Sequence, residues 1–517
     1  MVWGAGFEVV VVGGGPVGLL LAAELAGYGV RTVVVESGAR VSRRPRATTL
    51  HARTVQCLVR RGHLEGLAAA ADPAAFTRVF HFAGLPGLSI PAPAGEPGPV
   101  LKCPQGDLER HFEKRARAAG ARVLRGYRVT GVRQDPAGVR VTVQGPCGPV
   151  ECAARYLVGA DGARSTVREL VGFASRSYPA TVSAMAGDVR LVEAGSLGPG
   201  WHRTPRGWLV AKDVAGGGMR LRTLNCTAAQ ERRRLPLTLE ELRREVSWIA
   251  GRDIAMEAPR WLSRFSDFSR LARSFRAGRV FLAGDAAHVH FPVGGQGLST
   301  GLLDAVNLGW KLAFTVRGGV GRGLLDSYDR ERRPAAQRVI DNTRAQLALM
   351  HPGPGLDPLR ELFTRLLAGG GESGALAAMV SAQDTVFEPL TVRHSPWEGR
   401  FLHNVGLSTR EGPADVIGLM REGRALLLLF GERGSGYREQ VRGRAGLVRT
   451  VHAAPVPGLP CDALLVRPDG YIAWGPGGDG LDCALSAYFG DRAQARPAGA
   501  GSAVGGFPGR PARAGRP

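Results

Sequence analysis

The sequence predicts an α/β fold in which a parallel sheet is interrupted by an antiparallel sheet and followed by a second α/β unit. Three observations support this prediction. Residues 7–37 read as a strand, a glycine turn, a helix and a second strand, the repeating unit of a parallel sheet. Residues 175–275 alternate apolar and polar side chains, as in a sheet with one buried face. Residues 400–490 contain an apolar run and a hairpin-like segment, ALLVRPDGYIAW.

The composition excludes several classes of protein. Of the 517 residues, 44% are hydrophobic and 22% are charged, as in ordinary globular domains, and the length predicts two or three domains. The net charge is +22, but nearly all of the basic residues are arginines spread along the chain. We interpret this excess as the codon bias of a GC-rich genome and expect no nucleic-acid partner. A modest attraction for anionic ligands stays open.

Cysteine usage and the N-terminal sequence indicate the compartment. The seven cysteines are odd in number and widely spaced, and no Cys-x-x-Cys occurs, so we expect neither a disulfide framework nor a metal site. The N-terminus lacks the basic region of a signal peptide, and no apolar run is long enough to span a membrane. These features predict a cytoplasmic protein without a membrane partner.

The first motif follows the apolar run from Val9 to Val12 directly. Gly13 permits a tight turn, Gly15 lets the backbone approach a pyrophosphate, and Gly18 lets the next helix pack closely on the strand. The start of that helix offers free N–H groups to phosphates. Glu36 ends the second strand, where its carboxylate can accept the hydroxyls of a ribose. The sequence therefore predicts a dinucleotide site, with a pyrophosphate loop of Gly13, Gly15, Pro16, Val17 and Gly18.

Two later segments repeat the pattern of a buried strand followed by an acid. YLVGADGARSTVREL places Asp161 after an apolar strand, and RVFLAGDAAHVHFPVGGQGLSTGLL places Asp285 after another. A carboxylate at the end of a strand can accept hydroxyls from a ribose or ribitol chain. The glycines after Pro292 lead into a helix, so their N–H groups are free to face the anionic edge of a ring.

The order of these motifs resembles that of the single-component FAD-dependent aromatic hydroxylases of the p-hydroxybenzoate hydroxylase fold. RATTLHART, CPQGDLERHF, DAVNLGWKLA and LLVRPDGYIAW make the chain similar to bacterial aromatic-polyketide hydroxylases and rifampicin monooxygenases from residue 7 to about 490. The resemblance implies a Rossmann-type FAD-binding domain, an inserted antiparallel-sheet substrate domain and a C-terminal thioredoxin-like domain. We predict an FAD-binding domain in two parts (1–174 and 276–350), a substrate-binding sheet (175–275), a helical connector (351–398), a thioredoxin-like domain (399–491) and a disordered tail (492–517).

The resemblance also implies roles for individual residues in FAD binding. Arg46 is expected to lie along the flavin and Gln105 to contact the FAD chain. Asp161 belongs to a motif tied to both FAD and NADPH, and Asp285 binds the ribityl side. Pro292 is expected beside the flavin face where the substrate lies. The pyrimidine edge is covered by Gly295, Gly297, Leu298 and Ser299, and the positions closest to the chemistry are Arg46, Pro292 and Gly295.

One position departs from the family pattern, and several others have two interpretations. Ser299 stands where asparagine is common, and we expect it to cap the following helix with a weakened flavin contact. His288 is expected to be structural, and Asp304 is either a surface acid or a residue near the flavin. The candidate substrate contacts are aromatic side chains that can equally form the core: Trp201, Trp208, His290 and Phe291.

The implied activity is that of a flavin-dependent monooxygenase. NADPH, with NADH as the alternative, would reduce FAD, and reaction with O2 would give a C4a-hydroperoxyflavin that hydroxylates a polycyclic aromatic, polyketide-type small molecule. The same chemistry permits Baeyer–Villiger or epoxidising oxygen insertion and antibiotic inactivation. A non-oxygenating flavoprotein reductase is the alternative from another class. The expected assembly is a monomer or a homodimer.

Overall fold

The computed structural model of the chain describes residues 6–214, 216–227, 235–318, 320, 323–369 and 373–490. The predicted tail, 492–517, lies outside these residues. In the part described, sheets and helices form a mixed α/β architecture, which confirms the predicted fold class. No helix in the described ranges combines the length and the hydropathy needed to cross a membrane.

The first sheet has six strands, and the strand Val9–Val12 lies near its middle with all four valines buried. Its two neighbours, Thr32–Glu36 and Tyr156–Gly159, run parallel to it, so their carboxyl ends lie at one edge. Helices cover the sheet because the strands are apolar on both faces. The strand order is Arg276–Ala277, Val280–Leu282, Tyr156–Gly159, Val9–Val12, Thr32–Glu36 and Arg122–Arg125, and the helices of this part are Pro16–Gly27, Ala52–Arg60, Ala68–Ala71, Gln105–Ala118 and Thr166–Val171.

Short antiparallel sheets surround this parallel sheet. The one that matters most for the site pairs Thr49–His51 with Val100–Lys102 and carries Phe76–Thr77 on its other side. A hairpin of Val79–Phe82 and Leu85–Ser89 lies next in the chain. The remaining small sheets are formed by Arg128–Gln134, Val139–Gly145 and Gly148–Ala154, and by Ser175–Tyr178, Ser269–Ala272 and His288–Val289.

The predicted antiparallel sheet within residues 175–275 is present and has two different faces. One face packs on the helix Leu239–Ala250, which the sequence analysis did not predict. A capping box between Thr238 and Glu241 starts this helix, and Gly251 ends it with a φ of 73°. The opposite face turns toward the FAD-binding part. The strand order is Gly200–Thr204, Gly207–Val214, Gly218–Asn225, Ser183–Leu191 and Met256–Ser266.

Two long helices follow, as predicted: Gly297–Arg317 and Asp326–Met350. The first packs close to the glycine turns, since a Cβ at Gly301 would lie 3.1 Å from the Cα of Gly284. In the described residues of the predicted connector, a 3-10 turn at Pro354–Leu356 precedes the α-helices Asp357–Ala368 and Gly374–Ser381, and residues 383–398 form turns and irregular chain.

The C-terminal unit is a mixed sheet around the strand Ala425–Phe430. This strand is parallel to Val448–Ala453 and antiparallel to Ala463–Val466, which pairs in turn with Ile472–Trp474. The cysteines of this unit are free, as are the other five in the chain. The remaining elements are the strands Gly406–Thr409 and Gly412–Asp415 and the helices Val416–Leu419, Gly431–Gly434 and Leu481–Phe489.

A buried ion cluster joins this unit to the long helices. Glu331 receives two hydrogen bonds of 2.8 Å from Arg467 and pairs with Lys311 at 2.8 Å, and all three side chains are at most 1% exposed. Asp469 pairs with Arg467 at 2.6 Å, and Asn307 donates to Glu331 at 2.7 Å. Burial opposes ionisation of Glu331, but the two cations outweigh it and hold its pKa at about 2.

Replacing Glu331 should loosen this junction. Glu331→Gln leaves Lys311 and Arg467 buried with one carboxylate between them, so we expect the free energy of unfolding to fall by about 3–5 kcal/mol. Urea denaturation followed by tryptophan fluorescence measures the change. Glu361→Gln is the control, because Glu361 and its partner Arg365 are both exposed and such pairs contribute little. Equal unfolding midpoints for the two variants would contradict the role of the cluster.

Candidate functional site

Two glycines of the glycine loop leave no room for a side chain, Gly13 because it packs on the second motif and Gly18 because it packs on Gly13. A Cβ at Gly13 would lie 2.3 Å from the carbonyl oxygen of Ala160, and φ at Gly13 is 113°. A Cβ at Gly18 would lie 2.0 Å from the carbonyl oxygen of Gly13. Gly15, in contrast, has no atom within 4 Å of its Cβ position, and it stands at the N-cap of Pro16–Gly27. This open helix start is where a pyrophosphate binds in proteins of this type.

Glu36 is fixed against the same loop. Its Oε2 accepts the N–H of Gly14 and its Oε1 accepts the N–H of Gly38, both at 2.6 Å. Each carboxylate oxygen has a further lone pair, so Glu36 can also accept ribose hydroxyls. The backbone thus orients the carboxylate in the way the sequence analysis requires.

Asp161 lies beside the glycine loop, but its carboxylate accepts hydrogen bonds from the turn that follows it. A Cβ at Gly13 would approach its Cα to 2.9 Å, so the first and second motifs are in contact. Its carboxylate accepts from the Ser165 hydroxyl at 2.5 Å and from the Val167 N–H at 3.1 Å. Burial raises the pKa of Asp161 despite these bonds. The structure therefore gives Asp161 a helix-capping task, which the sequence analysis had not assigned to it.

Asp285 lies within range of the charge of Arg46. Asp285 has exposed surface, yet the surrounding protein desolvates it enough to raise its pKa, as expected for a carboxylate deep in a concave site. The positive charge of Arg46 lowers the pKa of both Asp285 and Glu109, against the effect of burial. Gln105 donates to Glu109 at 2.8 Å, so it lies on the Arg46 side of the site. The charge of Arg46 thus reaches both Asp285 and the Gln105–Glu109 pair.

Asp304 is fully buried and holds the turn that carries Asp285, so the surface-acid interpretation is wrong. It accepts the Gly284 N–H at 3.0 Å, bonds to His288 Nε2 at 2.7 Å and accepts from Arg332 Nε at 2.8 Å. Burial would raise the pKa of Asp304, but the charges of His288 and Arg332 outweigh it and the pKa is lowered. His288 is structural, as predicted.

The loop between Pro292 and the next helix has two left-handed glycines, Gly294 at φ 74° and Gly295 at φ 62°, and Pro292 is exposed. The expectation that Ser299 caps this helix is wrong. Ser299 lies inside the helix Gly297–Arg317, beside Leu298, and its hydroxyl accepts the N–H of His51 at 3.0 Å. The ring of His51 bonds to the carbonyl of Gly294 at 2.8 Å. Sequence reasoning missed His51, although it lies in the RATTLHART segment.

A chain of buried amides connects this loop to the hairpin at 79–89. Asn342 donates to Gln296 at 2.8 Å, and Gln346 donates to Asn342 at 3.3 Å. The Ala83 N–H then donates to Gln346 at 3.0 Å, and Ala83 has an unusual φ of 52°. No local sequence pattern signals this chain, because its members are far apart in the sequence.

The aromatic candidates separate into two groups. Phe291 is buried and stacks on Phe265 with centroids 6.1 Å apart. Trp208 is also buried and donates to the Met350 carbonyl at 2.7 Å, which favours the core interpretation. Trp201 is 38% exposed and stacks on His81.

His290 adjoins the start of the helix. Its Nδ1 bonds to the Phe291 carbonyl at 2.9 Å, and its buried Nε2 has no partner in the described residues. Burial lowers the pKa of His290 to about 4, so the ring is neutral at pH 7. A Cβ at Gly297 would lie 3.3 Å from that Nε2.

These features fit FAD. Gly15 leaves room for a pyrophosphate at a helix start, and Glu36 and Asp285 place carboxylates at strand ends on either side of it. Within the described residues, no three His, Cys, Asp or Glu side chains cluster closely enough to hold a metal ion.

Comparisons with known proteins agree with this geometry. Residues 6–343 match the family model described as FAD binding domain, and residues 395–491 match the one described as aromatic-ring hydroxylase, C-terminal. A 12-dehydrotetracycline 5-monooxygenase/anhydrotetracycline 6-monooxygenase from Streptomyces rimosus is 38% identical over 94% of this chain and 99% of its own length. A rifampicin monooxygenase from Streptomyces venezuelae is 37% identical with the same coverage of both chains.

A solved structure gives the same result. The structure of CabE, an aromatic hydroxylase from angucycline biosynthesis, superposes with a TM-score of 0.86 at 35% identity and covers 94% of this chain and 99% of that one. These matches confirm the resemblance inferred from the motifs. The chain therefore belongs to the FAD-binding aromatic-ring hydroxylase family and is an FAD-dependent monooxygenase.

Proposed function

We propose that this enzyme hydroxylates a polycyclic aromatic, polyketide-type small molecule, with NADPH (or NADH) as reductant and O2 as the oxygen source. The observation that supports the proposal is that the turn before Asp285 packs on Val17 of the glycine loop, where a Cβ at Gly284 would lie 3.1 Å from Val17, while Gly14 of the same loop donates to Glu36. Bound FAD would supply hydride acceptance and oxygen activation. The relatives named for tetracycline and rifampicin substrates support this substrate class.

Within this proposal, the residues of the cleft have separate tasks. The loop from Gly13 to Gly18 holds the pyrophosphate and Glu36 the adenosine ribose, while Gln105 and Asp285 border the chain between ring and pyrophosphate. Arg46 lies along the flavin, and Asp161 fixes the second motif beside it. The residues that cover the pyrimidine edge of the flavin are Gly295, Gly297, Leu298 and Ser299. The residues that contact the substrate are Pro292, His290, Phe291 and Trp201.

A dry cavity is the protein's second contribution. The buried apolar cluster of Phe291, Val293, Trp208 and Leu224 adjoins Pro292 and, once substrate covers that residue, would keep water away from the reactive oxygen and limit its release as peroxide. We further infer a cytoplasmic monomer or homodimer with the domain boundaries given above.

The proposed function is tested with the purified holoprotein. It should be yellow, and a polycyclic phenol should speed its NADPH oxidation and yield a product that carries one atom of 18O from 18O2. Oxidation without incorporated 18O would favour a non-oxygenating flavoprotein. Product structure separates hydroxylation from Baeyer–Villiger or epoxide products.

Gly15→Ala should abolish tight FAD binding without damaging the fold. The new Cβ meets no protein atom, and φ at Gly15 is −80°, which alanine adopts without strain. The methyl group would instead occupy the space of the pyrophosphate, so we expect at least about tenfold weaker FAD binding by titration of the apoprotein. The control is Gly27→Ala at the other end of the same helix, where the Cβ position is also open. FAD affinity equal to that of this control would place the pyrophosphate elsewhere.

Glu36→Gln should also weaken FAD binding. An amide keeps only one oxygen, so it cannot accept from Gly14 and Gly38 with two oxygens and also serve a ribose. Loss of a charged acceptor corresponds to about 1.5–3 kcal/mol, or roughly tenfold to a hundredfold in the FAD dissociation constant. Glu8→Gln is the matched control, because Glu8 precedes the strand Val9–Val12 at its other end. An unchanged dissociation constant in Glu36→Gln would refute the ribose contact.

A further inference from the structure

The inserted sheet presents an alternating set of side chains to the cleft. Leu209, Ala211 and Leu221 point to the helix Leu239–Ala250, since they share its apolar cluster. Side chains alternate along a strand, so the intervening residues point the other way. Trp208 and Leu224 confirm this, because they pack with Phe291 and Val293 on the FAD side. We call this side the cleft face; it carries Trp208, Val210, Lys212, Arg220, Arg222 and Leu224.

Arg222 lies in the middle of the cleft face. It pairs with Val210 on one neighbouring strand and with Ala186 on the other, so small or apolar side chains flank it. Among the described residues, no carboxylate pairs with it and no hydrogen bond to its guanidinium is present. The nearest acid on the face, Asp188, is engaged by Arg220 through two bonds of 2.6 and 2.7 Å.

Arg222 has exposed surface but lies in poorly solvated surroundings. Burial lowers its pKa, and the charge of Arg220 lowers it further, while Asp188 opposes both only weakly. Its neighbours on the adjacent strands are the shorter side chains of Val210 and Ala186, so we infer that Arg222 lies in a shallow recess of the cleft face. Keeping an arginine there without a counter-ion costs free energy, which a bound anion would recover.

Two of the four lysines add charge to the same recess. Lys102 Nζ lies 3.1 Å from the Thr49 hydroxyl and 4.8 Å from the centre of the Phe80 ring. Burial, and then the charge of Lys212 on the cleft face, lower the pKa of Lys102 to about 8. Lys102 and Lys212 therefore lie close enough for their charges to interact. Thr49 also adjoins the loop beneath the flavin site, since a Cβ at Gly295 would lie 3.5 Å from it.

The positions of Leu224 and Arg222 along their strand show which end of the cleft face lies near Pro292. Leu224 packs with Phe291 near Pro292, and Arg222 follows two residues away, about 7 Å farther from that end. A flat molecule with one ring at Pro292 would therefore extend over Val210 and reach Arg222 with its far side.

We propose that Arg222, with Lys102 and Lys212 beside it, binds an ionised oxygen of the aromatic substrate at the end away from Pro292. This inference rests on the proposed function and narrows it to substrates that carry an acidic phenol, enol or carboxylate. A guanidinium can donate paired hydrogen bonds to the two oxygens of a carboxylate, or two N–H groups to the single oxygen of a phenolate or enolate, and a desolvated site makes those bonds strong.

The test compares charged and neutral probes of one shape on the holoenzyme. Dissociation constants for 2-naphthoate and 2-naphthamide are measured by flavin absorbance changes, and 1,2-dihydroxyanthraquinone is measured on either side of its phenol ionisation. The first pair tests a carboxylate and the second probe a phenolate. We expect wild-type protein to prefer at least one anion by about tenfold or more over its neutral form.

Variants assign the preference to Arg222. Arg222→Gln should bring the ratio of anion to neutral affinity close to one, and Arg222→Lys should restore part of it. Arg190→Gln is the matched control, because Arg190 lies on the same sheet but outside the recess, in an exposed pair with Glu257. FAD content and the unfolding midpoint are measured for each variant to exclude misfolding.

Three results would overturn the inference: wild-type protein without an anion preference, wild-type protein that binds none of the probes, or Arg222→Gln that keeps the preference. If the enzyme is yellow and oxidises NADPH but gives one of these results, only the role of Arg222 is refuted. If the protein is colourless and cannot bind FAD, the proposed function is refuted as well.

Discussion

The backbone of Gly13 lies directly against the carbonyl of Ala160, and the rest of the site is built outward from that contact. The contact is possible because the strands before these two residues are parallel neighbours whose carboxyl ends meet at one edge of the sheet. It brings the first two motifs together, although about 150 residues separate them in the sequence. The third motif joins through Gly301, which lets the long helix pack on the turn at Gly284. A side chain at either position would separate parts that one ligand must span.

A second level of structure holds these parts in register. Asp304 ties the turn bearing Asp285 to a long helix through His288 and Arg332, and all of its bonds are buried. The amides of Asn342 and Gln346 extend the support to the hairpin over the substrate side. Buried polar groups of this kind stabilise one arrangement because any other leaves them unsatisfied.

Sequence reasoning predicted the parts of the site that are encoded locally. The glycine turn and Glu36 belong to one short βαβ unit, so their spacing alone indicated their roles. The helix Leu239–Ala250 also had a local signal, Thr238 followed by Glu241, which the strong strand pattern around it concealed.

The parts that were not predicted depend on contacts distant in the sequence. Burial of Asp304 needs Arg332 from the next helix, and the role of Ser299 needs the backbone of His51. The core interpretation of Trp208 is favoured by its bond to the Met350 carbonyl, which lies at the end of a helix more than a hundred residues later. Arg222 could be assigned to the cleft face only from the pairing of its strand, which shows the side of the sheet on which its side chain lies.

The two-faced inserted sheet has a consequence for how such enzymes diversify. Along its strands, every second side chain supports the helix behind the sheet, and the others line the recess. Mutations can therefore accumulate on the recess side without loosening the scaffold, and neighbouring strands can be varied together. A combinatorial library restricted to Val210, Arg222 and Ala186 would sample new ligand preferences while the hydrophobic packing of the domain stays intact.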